Sequence, residues 1–158
     1  MKKKNKKLDT TIAQNRSARH EYFISDEIEC GLSLEGWEVK ALRAGKARIA
    51  ESYVFVKDGE MFISNANFTP TEQASTHKSA EPTRVRKLLL KKSEIERFQG
   101  RVAREGYTII ATTLYWKGAW AKIKIGLGKG KKLHDKRISD KDASWKREQG
   151  RILKNSQR

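Results

Sequence analysis

YTIIATTLYWKGAWAKIKIGL, residues Tyr107 to Leu127, is the stretch whose reading decides the fold. Tyr107 to Trp116 is rich in β-branched and aromatic residues, Lys117-Gly118 can make a two-residue turn, and Ala119 to Leu127 returns as a second strand. In that return Ala119, Ala121, Ile123, Ile125 and Leu127 alternate with Trp120, Lys122 and Lys124. One face is therefore apolar, and the other carries an aromatic ring and two cations. The run GKGKKLHDKR, Gly128 to Arg137, then breaks the alternation and reads as the junction between a folded body and a flexible basic arm.

A second hairpin is signalled where Tyr53 to Val56 and Met61 to Ser64 flank Asp58-Gly59, a dipeptide that tolerates positive φ. Tyr22, Ile24 and Ile28 fall at even positions, as on one face of a strand over Glu21 to Ile28. Cys30 to Leu34 fits either a continued strand or a short helix. Trp37, Val39 and Ala41 resume the alternation after Gly36, and Gly45 ends it. Ser93 and Glu96 have capping-box spacing before a helix carried by Ile95, Phe98 and Val102 and stopped by Gly106. Thr69 to Thr83 holds both prolines and no period, as a surface loop would. Several antiparallel strands with one or two helices make a mainly β, α+β body, a small barrel or sandwich.

The composition divides the chain into a flexible basic arm (1–14), a body (15–128) and a basic tail (129–158). In the tail, Ser139 or Asp140 can cap a helix whose apolar residues Ile138, Trp145 and Ile152 recur every seven positions, joined by Leu153. That stripe is narrow, and Gly150 costs about 1 kcal/mol relative to alanine. A segment disordered alone and helical against a partner is the expectation, with a permanently docked helix as the alternative.

The net charge of +16, from 35 Lys and Arg against 19 Asp and Glu in 158 residues, calls for a polyanionic partner. Nucleic acid is favoured over an anionic membrane, because no lipidation signal or amphipathic helix rich in apolar anchors is visible. Cys30 is the sole cysteine, which excludes an intrachain disulfide and a Cys-rich zinc site. No apolar run is long enough for a membrane span or a secretory core, so a cytoplasmic protein without metal or cofactor is expected. His134 beside Asp135, and His20 with Glu29, could supply acid–base groups, but the glycine- and lysine-rich surroundings of His134 would not hold it rigid. No P-loop, nucleophile elbow or dinucleotide fingerprint occurs, so no catalytic residue is assigned.

Trp120, Lys122 and Lys124 combine base stacking with phosphate neutralisation, and Lys129, Lys131 and Lys132 tilt the reading further towards RNA. An ordinary amphipathic strand with Trp120 half covered is the bland alternative. Arg97, Arg101 and Arg104 read as a solvated helix face. Arg84, Arg86, Lys87, Lys91 and Lys92 read as a charged rim around a buried plug, Leu88 to Leu90.

Five segments in this order, RHEYFI from Arg19, ECGLSLEGWEVKALRAGKA from Glu29, PTRVRKLLL from Pro82, EGYTIIATTLYW from Glu105 and GKGKKLHDKR from Gly128, closely resemble the SmpB family of SsrA-binding proteins. The resemblance implies an OB-like antiparallel barrel with flanking helices, binding to the tRNA-like domain of transfer-messenger RNA, and delivery of that RNA to stalled ribosomes in trans-translation. It places Asn15, Glu29 and Leu89 at the RNA interface with Lys122, Lys124, Lys131 and Lys132, and Arg19, Trp120 and Lys129 complete the candidate RNA-binding residues. It assigns the tail, with His134, Asp135, Lys136, Arg137, Trp145, Ile152 and Leu153, to the ribosomal decoding centre and mRNA channel. Elongation factor Tu and alanyl-tRNA synthetase are implied as companions, and the protein is expected to be a monomer. A general OB-type, ribosome-associated RNA binder is the alternative function, with a small nuclease behind it.

Overall fold

Residues 10–72 and 80–156 are described by the computed structural model. The hairpin expected from Tyr107 to Leu127 forms as β8 (Thr108–Lys117) and β9 (Trp120–Gly130). Its turn lies one residue later than the spacing suggests: Lys117 pairs with Trp120, so Gly118-Ala119 closes the loop, with Gly118 at φ +61°. The second hairpin joins β4 (Tyr53–Lys57) to β5 (Glu60–Ser64) through Asp58 and Gly59, both at positive φ. The alternation at Tyr22 becomes β2 (Tyr22–Leu32), which settles Cys30 to Leu32 as strand.

With β1 (Thr11–Gln14) and β7 (Arg86–Leu89), these strands form one antiparallel sheet in the order β1-β8-β9-β2-β7-β5-β4. A two-stranded piece, β3 (Ala47–Arg48) with β6 (Asn67–Phe68), lies apart from that ladder. β4 comes beside β8 without ladder pairing, which leaves an OB-like barrel open along one seam. Among the described residues four helices flank it: α1 (Arg16–Glu21), α2 (Gly36–Arg43), α3 (Lys92–Glu105) and α4 (Leu133–Ser156). Inner faces of the strands supply Met61, Ile63, Leu88, Leu114, Ile123, Ile125 and Leu127, and α2 and α3 add Leu42 and Phe98. Cys30 is buried, and burial pushes its thiol up to about 12.

Several sequence expectations are corrected here. Trp37, Val39 and Ala41 do not form a strand: Trp37 and Ala41, and Glu38 and Leu42, stack one helical turn apart on the buried side of α2. The helix opens with a reciprocal cap, the Glu38 carboxylate accepting from the Glu35 N–H at 2.8 Å. Alternation misleads because Glu38, polar by type, is fully buried. It meets Arg86, which is equally buried and so does not belong to a charged rim. Arg86 also donates to the carbonyls of Ala66 (2.7 Å) and Pro82 (3.0 Å) and stands 3.8 Å from the Phe68 ring centre. Burial pulls its guanidinium below the ordinary value, and Glu38 opposes that shift.

The strand β9 does not end at Leu127 either. It pairs with β2 as far as Gly130 opposite Tyr22. A Cβ on Gly126 would lie 2.7 Å from Ile24 Cγ2, and one on Gly128 would lie 2.2 Å from Ile110 Cδ1. Close packing, not looseness, explains Gly126 and Gly128, whereas a Cβ on Gly130 would meet nothing within 4 Å. Helix α3 starts after Lys91, so Ser93 and Glu96 sit inside it and form no capping box, while Gly106 ends it at φ +70° as expected. Thr11–Gln14, read as part of the flexible arm, is edge strand β1, and residues 1–9 lie outside the described residues. In Thr69 to Thr83 the described residues form neither helix nor strand, and 73–79 lie outside them.

Candidate nucleic-acid interface

Strand register decides which basic residues meet. Lys122 pairs with Tyr115 and with Gly31, and Lys124 pairs with Thr113 and with Glu29, so these side chains share the outer face of β8, β9 and β2. Lys124 Nζ lies 5.7 Å from the Tyr115 ring centre, the Tyr115 hydroxyl donates to Glu29 Oε2, and Lys117 Nζ donates to Glu29 Oε1 at 3.1 Å. The Tyr115 hydrogen bond chiefly holds the Glu29 carboxyl below its usual value, with Lys117 adding to it. Burial, then Glu29, push the Tyr115 hydroxyl up. Glu29 thus stays an anion among cations, with both oxygens already hydrogen-bonded in the free protein.

Trp120 stands beside this cluster at the start of β9, opposite Lys117 and 72% exposed. It is not half covered. Leu89 lies opposite Gly31 and is 52% exposed, across β7 from the buried Leu88. Glu29 and Leu89 border one cleft of about 660 Å³ whose rim includes Lys91, Lys92 and Glu94. Sequence reasoning missed Tyr115 and Lys117 as parts of this face. Their signal was the parity of β8, since Tyr115 must point away from the buried side taken by Leu114.

Lys129 and Lys131 do not join Lys122 and Lys124. β9 carries no bulge, so Lys129 leaves the sheet on the side of Leu127, where its Nζ lies 5.4 Å from the Tyr107 ring centre. Lys131 Nζ lies 5.0 Å from the Phe23 ring centre and donates to the Arg19 carbonyl at 2.9 Å. Arg101 stands 4.8 Å from Tyr107, so a second basic group gathers there. Arg19 is exposed and paired with Glu27 at 2.7 Å, and Lys132 is exposed at the head of α4. Asn15 is buried: its amide donates to the Ala111 carbonyl at 3.0 Å and its Oδ1 accepts from the Ala18 N–H at 3.2 Å. That side chain acts as an N-cap tying α1 to β8.

Helix α4 begins six residues before Ser139, with Asp135 Oδ2 accepting from the Lys132 N–H at 3.2 Å. Its first turns touch α1: Lys136 pairs with Glu21 at 3.0 Å, and His20 Nε2 lies 2.9 Å from Asp140 Oδ1. Lys136 is the main reason the Glu21 carboxyl is held low. His134 and Arg137 are exposed, and from Asp140 to Asn155 every residue is exposed, Trp145, Ile152 and Leu153 included. Among the described residues no helix is long and apolar enough to cross a membrane.

An open OB-like sheet with cations and aromatic rings on its outer face, joined to a projecting basic helix, has the design of an RNA-binding protein. The chain belongs to the SmpB protein family, whose sequence profile it matches over residues 12–155. A solved chain described as "tmRNA-SmpB: a journey to the center of the bacterial ribosome" superposes with a TM-score of 0.63 and is 39% identical; the match covers 78% of this chain and 90% of that one.

Proposed function

We propose that this chain binds the tRNA-like domain of transfer-messenger RNA through its barrel and delivers that RNA to stalled ribosomes for trans-translation. The observation that carries the reading is the cluster of Lys122, Lys124, Tyr115 and Glu29 on the outer face of a chain of the SmpB family. Lysines on that face neutralise phosphates, while Trp120 and Leu89 offer exposed apolar surface to unpaired bases. Glu29, kept ionised by Tyr115 and Lys117, can exchange those partners for base amino groups. Asn15 contributes indirectly, by fixing α1 beside the sheet.

The body and tail divide the work in this reading. Residues from β1 through β9 hold the RNA, and α4 enters the decoding centre and the mRNA channel, which is open only when no downstream message fills it. His134, Asp135, Lys136 and Arg137 contact ribosomal RNA at its head, and Trp145, Ile152 and Leu153 find cover along the channel. Elongation factor Tu and alanyl-tRNA synthetase act on the same RNA.

Titration of the tRNA-like domain with a Lys122→Ala/Lys124→Ala variant tests the interface. The variant is expected to bind more weakly and to lower the magnitude of the salt slope by about 1.4 to 1.8, the share of two phosphates. Unchanged affinity and slope would remove this face from the interface.

A further inference from the structure

The outer face just described does not stop at β7. Register carries it on: Lys87, two residues before Leu89 and on the same side of β7, pairs with Phe62 of β5, which pairs with Phe55 of β4. Tyr53 follows two residues from Phe55 on that side, while Val54, Met61 and Ile63 fill the core from the other. The Phe55 and Phe62 rings lie 5.7 Å apart at 27°, and Tyr53 continues the row 6.0 Å from Phe55 at 35°. A cross-strand aromatic pair by itself does no more than brace a hairpin. Tyr53, 55% exposed, extends the row beyond what bracing requires.

We propose that Tyr53, Phe55 and Phe62 form a stacking platform for an unpaired segment of the RNA held by the Glu29 and Lys124 face. This rests on the reading of that face as an RNA interface. Continuity selects the occupant: from Tyr53 to Lys124 the neighbouring strands β4, β5, β7, β2 and β9 present one surface, and among the described residues no strand interrupts it. Chemistry agrees. Lys87 stands between the aromatic row and Leu89, and Lys91 and Lys92 rim the cleft that Leu89 shares with Glu29, alongside Glu60 and Glu94. A strand of RNA crossing the barrel would meet cations for its phosphates and π-faces for its bases, a pairing that holds single strands with little regard to sequence. Glu60 holds Lys87 at 2.9 Å in the free protein, where it keeps that lysine near the row.

The test uses the full chain, a labelled eight-residue oligoadenylate and the tRNA-like domain. Two variants, Tyr53→Leu and the triple Tyr53→Leu/Phe55→Leu/Phe62→Leu, keep apolar volume and remove the π-faces. Oligoadenylate binding is expected to weaken about tenfold or more in the triple variant, as loss of stacking to one or two bases implies, with an unchanged salt slope because no cation is lost. Should melting show that the triple variant is unfolded, Tyr53→Leu alone must weaken binding about threefold or more. Equal oligoadenylate affinity in a folded variant, with the parent still binding the tRNA-like domain, overturns the platform and spares the interface. A parent that fails to bind the tRNA-like domain overturns the interface and the platform with it. Unchanged RNA binding together with a protein cross-linked through position 53 would reassign the row to protein docking and also overturn the proposal.

Discussion

Glu38 and Glu29 are the same side chain in opposite circumstances. Glu38 is fully buried against Arg86 and Arg84, and Glu29 sits on the outer face with Tyr115 and Lys117. Removing one partner of a buried pair strands the other charge, so Glu38→Ala is expected to cost about 3–5 kcal/mol in a urea titration. A loss below about 1 kcal/mol would show that Arg86 finds other compensation. For Glu29 the folded pKa is depressed, so its contribution to stability is present above the unfolded value of about 4.3 and is lost as pH falls through the lower folded value. Tyr115→Phe removes the main cause, and the Glu29 carboxyl should then titrate at higher pH by carbon NMR. An unmoved titration would contradict the assigned hydrogen bond. Lys122 and Lys124 were legible from alternation alone. Glu38 was not, because its burial depends on an arginine 48 positions away.

At the scale of elements, local signals succeeded where the chain makes its own punctuation. Asp58-Gly59 marked a hairpin and Gly106 a helix end because both need positive φ. They failed where tertiary packing sets the outcome: α2 hides in an alternating pattern, and Gly128 looked like loosening although Ile110 crowds it. Helix α4 is the sharper case. Its first turns hold to α1 through Lys136 with Glu21 and Asp140 with His20, yet every residue from Lys141 to Asn155 is exposed. A helix without tertiary burial is marginal in water. Hydrogen exchange should therefore find the amides of Ile123 to Leu127 slow and those of Ser144 to Leu153 among the fastest. Strong protection across Ser144 to Leu153 in the free protein would show a helix stabilised by its own contacts.

For the whole molecule, a net charge of +16 announces a polyanion without naming one. Nucleic acid was favoured by that charge together with the lack of visible membrane anchors, the alternation of Trp120, Lys122 and Lys124 was open to an ordinary amphipathic strand, and a particular RNA came only from the resemblance carried by five motifs. The separation of Lys129 from Lys122 and Lys124 follows from the same alternation once β9 runs to Gly130, and it was missed because the strand was expected to end at Leu127. The central claim is one of specificity: the barrel is built for one folded RNA, beyond a general attraction to phosphate. Competition between the tRNA-like domain and an ordinary tRNA of equal length, across a range of salt, tests it most directly. With about five phosphates contacted, log affinity should fall with log salt at a slope of about −3.5 to −4.5 for either RNA. The tRNA-like domain should win by about tenfold or more at every salt, a margin of about 1.4 kcal/mol. Equal affinity for the two RNAs would contradict the account and leave a general RNA-binding protein in its place.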